Sequence, residues 1–152
     1  MSKSTVLVIE DGHEYIENLT RFLGNEFNFV RAGDGPEALT LLQTTVFDAI
    51  FLDMKFDRST RFIGDVDKLR IRFAGDETRA SRFLENNQGT YILSAVRQAG
   101  HNLPVVFSYD FDSEPRRFQN LKSRHGQLYY LPDTASPAQM SMCLAKAIET
   151  GQ

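Results

Sequence analysis

Acidic side chains follow two unbroken apolar runs in this sequence. Residues 5–9 (Thr-Val-Leu-Val-Ile) lead into Glu10 and Asp11, and residues 49–52 (Ala-Ile-Phe-Leu) lead into Asp53. Apolar runs without alternation are typical of strands in a parallel sheet that is covered by helices on both faces. Such a sheet leaves side chains free mainly at its carboxyl edge, which is where open α/β folds place their functional groups.

Three carboxylates at neighbouring strand ends would form a pocket rich in oxygen ligands. A hard divalent cation such as Mg²⁺ suits such a pocket, because it takes one or two carboxylates and keeps several of its waters. The alternative for Asp53 is that it only ends a strand or caps a helix. The rest of the chain decides between these two interpretations.

The elements that would position these carboxylates alternate regularly along most of the chain. Apolar runs predict strands at residues 5–9, 27–30, 47–53, 103–108 and 127–131. Apolar residues at helical spacing predict helices at residues 13–23, 36–44, 90–99, 112–124 and from 136 onwards. The order strand, helix, strand, helix, strand at the start of the chain is typical of a right-handed, doubly wound parallel sheet.

Residues 54–88 interrupt this alternation and carry a different charge. Eight basic and five acidic residues lie between Lys55 and Arg82, whereas the remainder of the chain has nine basic and fifteen acidic residues. Alternating apolar residues predict a strand or hairpin arm at 65–73, and helical spacing predicts a helix at 76–86. Because a structureless segment of this length is unusual in a compact domain, we expect partial order or a functional lid. The alternative is a solvated loop with no role in the site.

Length and composition predict one globular domain over residues 1–152. The chain is 41% hydrophobic and 24% charged, and its net charge of −3 argues against nucleic-acid binding. Cys143 is the single cysteine, so an internal disulfide is excluded. The sequence lacks the residue order of a signal peptide and any apolar run of membrane-spanning length. We therefore expect a cytoplasmic protein with no membrane partner.

Four segments taken together resemble the receiver domain of two-component response regulators. They are the acid pair Glu10-Asp11 after the first strand, residues 33–39 (Gly-Asp-Gly-Pro-Glu-Ala-Leu), residues 47–53 (Phe-Asp-Ala-Ile-Phe-Leu-Asp) and residues 103–108 (Leu-Pro-Val-Val-Phe-Ser). The resemblance covers nearly the whole chain outside residues 54–88. It implies a flavodoxin-like, doubly wound α/β fold with strand order 2-1-3-4-5. Residues 54–88 would then be an insertion between the third strand and the helix that opens at Gly89.

The resemblance also implies roles for the acidic residues. Asp53 would accept a phosphoryl group from the histidine of a kinase or phosphotransfer protein. Glu10, Asp11, Asp53 and the backbone carbonyl of Lys55 would hold Mg²⁺, which would neutralise charge on the transferring group. Catalysis would then consist mainly of positioning and electrostatics.

Two further residues match the switch of this family. Ser108 ends the fourth strand, and its hydroxyl would donate to the phosphoryl oxygen. Tyr130 on the fifth strand matches the aromatic residue that changes rotamer with it. The alternative for both residues is ordinary strand-end and core packing.

One position departs from the family. The lysine that holds the phosphoryl group in receivers is replaced by Asp133, and an acid there would repel a phosphoryl group. Three outcomes stay open at this point: the domain switches differently, a basic residue of the insertion such as Lys55, Arg58 or Arg61 replaces the charge, or the domain signals by binding alone.

The favoured function is that of a stand-alone receiver. It would be a phosphoacceptor rather than an enzyme, would work as a monomer or weak dimer, and would signal by protein–protein contact through its fourth helix, fifth strand and fifth helix. The main alternative is a pseudo-receiver that binds a partner without phosphorylation. A hydrolase using Asp53 and Asp57 is disfavoured, because the tight D-x-D spacing of aspartate-nucleophile phosphatases is absent. A flavin-binding module is disfavoured by the acidic loop after the first strand.

Overall fold

A single parallel sheet of five strands forms the centre of the computed structural model, which describes residues 2–151. The strands are β1 (Ser4–Ile9), β2 (Phe27–Ala32), β3 (Ala49–Asp53), β4 (Val105–Ser108) and β5 (Leu128–Leu131). Their order is β2-β1-β3-β4-β5, and all neighbouring pairs are parallel. The predicted fold class and strand order are therefore confirmed.

Residues 2–151 also form seven α-helices. They are α1 (Glu14–Leu23), α2 (Gly35–Thr44), α3 (Val66–Arg72), α4 (Glu77–Asn86), α5 (Gln88–Gln98), α6 (Pro115–His125) and α7 (Pro137–Gly151). The helix predicted from residue 112 begins at Pro115, because a 3-10 turn (Phe111–Ser113) precedes it. Within residues 2–151, no helix combines the length and the apolar character needed to cross a membrane.

Each face of the sheet has its own apolar core, which explains the unbroken apolar runs. Along β1, Val6 and Val8 pack with residues of α1 and α7, whereas Leu7 and Ile9 pack with residues of α2, α5 and α6. All four side chains are fully buried. Burying an aliphatic side chain of this size stabilises the fold by about 1.5–3 kcal/mol. Helices on both faces thus require an apolar residue at every position of the strand.

The insertion contains a helical hairpin, so the prediction of a strand or hairpin arm at residues 65–73 is wrong. Asp65 caps α3 by accepting from the backbone N–H of Asp67 at 2.9 Å. Val66, Leu69 and Phe73 follow helical rather than strand spacing, and they pack in a small cluster with residues of α4. The side chain that suggested alternation is Ile71, which lies on the outside of the hairpin and is 83% exposed. The predicted helix at 76–86 is confirmed as α4.

The insertion packs on the rest of the domain through hydrogen bonds and a buried aromatic side chain. The amide of Gln88, a buried side chain, accepts from the Ile63 N–H at 2.7 Å and donates to the Ile63 carbonyl at 2.9 Å. Phe56 is fully buried in the core beside α2 and α5, and its N–H donates to the Glu85 carbonyl at 2.9 Å. The insertion is therefore ordered rather than a solvated loop.

Candidate functional site

Asp53 ends β3 at the carboxyl edge of the sheet. The register pairs it with Ser108 of β4, and its Oδ1 accepts a hydrogen bond from the Met54 N–H at 2.8 Å. Gly89, at the start of α5, lies very close to this strand end: a Cβ there would stand 2.4 Å from the Asp53 carbonyl oxygen. The absence of a side chain at Gly89 therefore lets α5 pack against the end of β3, where Asp53 lies.

The environment of Asp53 favours its protonated form. Burial is the main cause that raises its pKa from the ordinary 3.8 to about 7, and the negative charges of Asp11 and Glu10 raise it further. The hydrogen bond from Met54 and the positive charge of Arg58 act in the opposite direction. A cation placed near these carboxylates would therefore stabilise the ionised form of Asp53.

Glu10 is buried and anchors α1. Its two carboxylate oxygens accept hydrogen bonds from the backbone N–H groups of Tyr15 and Ile16, at 3.2 and 2.7 Å. Burial raises its pKa, and these two hydrogen bonds lower it. His13, the residue at the helix boundary, makes no side-chain cap. Glu10 thus satisfies free donors at the start of α1, which is a role that the sequence analysis did not assign to it.

Asp11 is engaged by the insertion. Its Oδ2 accepts from the Arg58 backbone N–H at 2.6 Å, and its Oδ1 lies 3.8 Å from Arg58 Nε. The Arg58 guanidinium also contacts the Glu14 carboxylate at 3.1 Å. The side chain of Asp11 is only 4% exposed as a result of its surroundings. We use the name acidic corner for Glu10, Asp11 and Asp53.

Ser108 faces Tyr15, a residue of α1 to which the sequence analysis assigned no role in the site. The Ser108 hydroxyl donates to the Tyr15 hydroxyl at 2.7 Å, and the Tyr15 ring packs on Phe51 with centroids 5.3 Å apart. Burial raises the pKa of Tyr15, and the negative charges of Asp53 and Asp133 add to the effect. Tyr15 is therefore a neutral hydroxyl next to the acidic corner.

Tyr130 does not meet Ser108 in this structure. Its hydroxyl bonds to the carboxylate of Asp112, and its ring contacts Phe111 and Phe118 edge-on, at centroid distances of 5.5 and 4.7 Å. The predicted switch role of Tyr130 stays a prediction. Its hydroxyl is held on the outer side of β5.

A cavity of about 560 Å³ opens over Asp53. It is lined by Tyr15, Asp53, Met54, Lys55, Asn86, Asn87, Ser108, Tyr109, Asp110 and Asp133. Asn86 and Asn87 lie at the end of α4, so the insertion contributes polar groups to the site. The sequence analysis missed these two residues, because their position depends on how α4 packs. Asp133 faces this cavity, in the place that the register through β5 predicts.

Of the three basic residues considered as replacements for the missing lysine, only Lys55 lines the cavity. Its ammonium lies 3.5 Å from the Asp57 carboxylate and is well exposed. Arg58 is engaged with Asp11, as described above. Arg61 makes a two-pronged contact with Asp34, at 2.9 and 3.0 Å, which caps α2. The three candidates for the missing lysine therefore differ: Lys55 lines the cavity, whereas Arg58 and Arg61 pair with Asp11 and Asp34.

The donor chemistry of the acidic corner suits Mg²⁺, because all three side chains offer carboxylate oxygens at one sheet edge. Within residues 2–151, however, no three acidic, histidine or cysteine side chains converge as a ready metal site. Backbone N–H groups already engage the carboxylate oxygens of Glu10 and Asp11. Each oxygen keeps a further lone pair for a metal ion.

No family model and no curated protein matches this sequence. Its fold, in contrast, matches many solved structures. The receiver domain of a Francisella response regulator is 18% identical with a TM-score of 0.67, over 99% of this chain and all of that one. A Vibrio cholerae chemotaxis protein is 17% identical with a TM-score of 0.65, over 96% of this chain and 99% of that one.

A third similar structure carries a different description. It is described as an adenylate cyclase from Rhodopirellula baltica, is 17% identical with a TM-score of 0.65, and aligns over 97% of this chain and 89% of that one. At these identities the likeness concerns the fold rather than the activity. Together with strand order 2-1-3-4-5, these matches show that the chain has the fold of a response regulator receiver domain.

Proposed function

We propose that this chain is a receiver-type phosphoacceptor that takes a phosphoryl group on Asp53 and signals by protein–protein contact. The observation that carries the proposal is the position of Asp53, at the edge of the sheet, beside Ser108 and under an open cavity. The fold of the chain supports the same conclusion. The phosphoryl donor would be a histidine kinase or a phosphotransfer protein.

In the proposed reaction, a carboxylate oxygen of Asp53 attacks phosphorus, the bond from phosphorus to the donor histidine breaks, and the histidine nitrogen keeps the electron pair. Oδ1 of Asp53 is held by the Met54 N–H, which orients the carboxylate and leaves Oδ2 as the attacking oxygen. The attacking group must be ionised, so the raised pKa of Asp53 opposes the reaction until positive charge is placed nearby.

Mg²⁺ is the cofactor that this site would take. Asp11, Asp53 and the backbone carbonyl of Lys55 would hold it, with the charge of Glu10 behind them, and it would neutralise negative charge on the phosphoryl group. Ser108 and Tyr15 offer hydroxyl groups that line the same cavity as Asp53. Among the three basic residues of the insertion considered above, Lys55 is the one that lines the cavity, and we assign it the role of the missing lysine.

The output surface would be formed by α6, β5 and α7. A groove of about 690 Å³ lies there, lined in part by Phe118, Tyr130 and Met142, the last of which is 73% exposed. Tyr130 borders both this groove and the Phe111 ring, so a rotamer change at Tyr130 would alter the groove. A protein partner is expected here, as apolar exposed surface of this kind is typical of interaction sites.

The test is modification by acetyl phosphate, followed by intact mass spectrometry. The wild-type protein should gain one phosphoryl group in the presence of Mg²⁺, and Asp53→Asn should gain none. Asp57→Asn is the matched control, because Asp57 is a carboxylate of the adjacent loop that pairs with Lys55 in solvent. The absence of modification with acetyl phosphate and with phosphoramidate would overturn the proposal.

A second candidate is a pseudo-receiver that binds its partner without phosphorylation. Asp133 favours it, because a negative charge on the cavity wall opposes a bound phosphoryl group. This candidate requires that Asp53→Asn and Asp53→Glu bind the same partners as the wild-type protein, with equal affinity. A change in binding with either variant would exclude it.

A further inference from the structure

The strongest contact between the insertion and the acidic corner is made by Arg58. Both oxygens of Asp11 face this residue, one accepting from its backbone N–H at 2.6 Å and the other lying 3.8 Å from its Nε. The guanidinium is held in turn by Glu14, with Nη1 and Nη2 at 3.1 and 3.2 Å from the two carboxylate oxygens. Arg58 thus bridges two acids that belong to different elements.

Gly12, between these two acids, makes room for the guanidinium. A Cβ at Gly12 would stand 2.3 Å from Arg58 Nη2 and 2.8 Å from its Cζ. The same Cβ would stand 2.1 Å from Glu14 Oε2, so any other residue at position 12 would require the ends of the Glu14 and Arg58 side chains to move. The glycine at position 12 thus leaves room for the ion pair of Arg58 and Glu14.

The charge in this region explains why a cation is needed. Glu10 and Asp11 follow β1, and Asp53 ends the neighbouring strand β3, so three carboxylates lie along one sheet edge. The Arg58 side chain places positive charge beside Asp11 at this edge. A divalent cation at the same place would do the same with twice the charge. Arg58 and a metal ion therefore serve the same electrostatic purpose and need the same oxygens of Asp11.

We propose that Arg58 is a tethered cation of the acidic corner and sets its affinity for divalent metal: a metal ion at Asp11 competes with the positive charge of the Arg58 side chain. This inference rests on the proposed phosphoacceptor function and adds a specificity-determining residue to it. It also gives the insertion a role, because metal binding would release Arg58 and loosen the loop that carries it. Metal occupancy would then be coupled to the order of the insertion.

The test is titration with MnCl₂, followed by the electron paramagnetic resonance signal of free Mn²⁺. Arg58→Ala should bind Mn²⁺ roughly fivefold more tightly than the wild-type protein, since an exposed ion pair of this kind is worth a few-fold in affinity. Arg61→Ala is the matched control. It removes one positive charge from the same loop, but the arginine that it replaces pairs with Asp34 and not with Asp11. Its Mn²⁺ affinity should equal that of the wild type within twofold.

Two further measurements distinguish displacement of the Arg58 side chain from the loss of its positive charge. Gly12→Ala keeps Arg58 in the chain but pushes its side chain away, so it should also bind Mn²⁺ more tightly. Hydrogen exchange at the Arg58 amide should accelerate when Mn²⁺ is added to the wild-type protein, because the metal competes for Asp11. Equal Mn²⁺ affinities of wild type, Arg58→Ala and Gly12→Ala would overturn the inference.

An equal increase in Mn²⁺ affinity in Arg58→Ala and Arg61→Ala would also overturn the inference, because the loss of one positive charge would then explain both increases. The phosphoacceptor function is judged separately, by acetyl phosphate labelling of Asp53. If Asp53 is labelled but wild type and variants bind Mn²⁺ with equal affinity, only the role of Arg58 is overturned. The absence of both labelling and Mn²⁺ binding would remove the proposed function together with it.

Discussion

The hydroxyl of Ser108 donates a hydrogen bond to the hydroxyl of Tyr15 over 2.7 Å, across 93 positions of the chain. This bond joins the start of α1 to the end of β4, directly beside Asp53. It engages the hydroxyl that the family resemblance assigns to the phosphoryl group. Any phosphoryl group that takes this donor must therefore break the bond to Tyr15.

Tyr15→Phe should strengthen the binding of beryllofluoride, a mimic of the phosphoryl group. A neutral hydrogen bond contributes about 1 kcal/mol, so freeing Ser108 from Tyr15 should lower the Kd roughly threefold to fivefold. Isothermal titration calorimetry in excess Mg²⁺ measures this. Ser108→Ala is the control, and it should weaken binding. A weaker complex with Tyr15→Phe would instead mean that Tyr15 itself binds the phosphoryl group.

Asp53→Asn should stabilise the protein at alkaline pH and leave its stability unchanged near pH 4. The pKa of Asp53 lies near 7 in the folded protein, above its ordinary 3.8, so ionised Asp53 costs folding free energy. The cost is absent below about pH 4, grows as pH rises, and is complete above about pH 7. Each pKa unit corresponds to about 1.4 kcal/mol, so the gain in unfolding free energy at pH 8 should be on the order of 4 kcal/mol.

Urea unfolding in EDTA at pH 4, 6 and 8 measures this gain for Asp53→Asn against the wild type. EDTA is needed because a bound divalent cation would offset the charge at Asp53. Asp57→Asn provides the control, since its carboxylate is about half exposed and pairs with Lys55 in solvent. A stability difference that is the same at all three pH values would contradict the assignment of the raised pKa to Asp53.

Gln88→Leu should release the insertion from the domain. The substitution leaves the Ile63 N–H and carbonyl without their partners, at a cost of about 1–3 kcal/mol for each buried group. Hydrogen exchange at the Ile63 amide and limited proteolysis between residues 57 and 65 should both accelerate. Gln98→Leu, an exposed position on the same helix, should leave both rates unchanged. Unchanged rates in Gln88→Leu would show that apolar packing alone holds the insertion.

Gly89→Ala should destabilise the fold and disturb Asp53 together. The new Cβ would stand 2.4 Å from the Asp53 carbonyl oxygen and 2.9 Å from the Met54 Cα, so α5 must move away from β3. Overpacking of this kind costs about 1–3 kcal/mol, which thermal unfolding should show as a lower Tm. Gln98→Ala provides the control on the same helix. A Tm equal to that of the wild type would mean that α5 adjusts without strain.

The insertion shows where sequence reasoning succeeded and failed. Helical spacing predicted α4 correctly, because Ala80 and Leu84 are buried on one face. At residues 65–73 the apolar residues fit strand and helix spacing about equally well, and the capping of α3 by Asp65 together with packing against α4 decided for helix. Local pattern alone could not resolve this, since the decision depends on a contact with another helix.

The sequence by itself determined the sheet, its strand order through the family resemblance, and the carboxyl edge that carries Glu10, Asp11 and Asp53. The sheet and its carboxyl edge follow from unbroken apolar runs, which are typical of strands buried on both faces, whereas the strand order was implied by the resemblance alone. Tertiary structure alone decided which groups meet at that edge: Tyr15 with Ser108, Arg58 with Asp11, and the backbone of α1 with Glu10. These partners are distant in sequence or hidden in an apolar helix pattern, and hydrogen bonds between them depend on distances that periodicity does not encode.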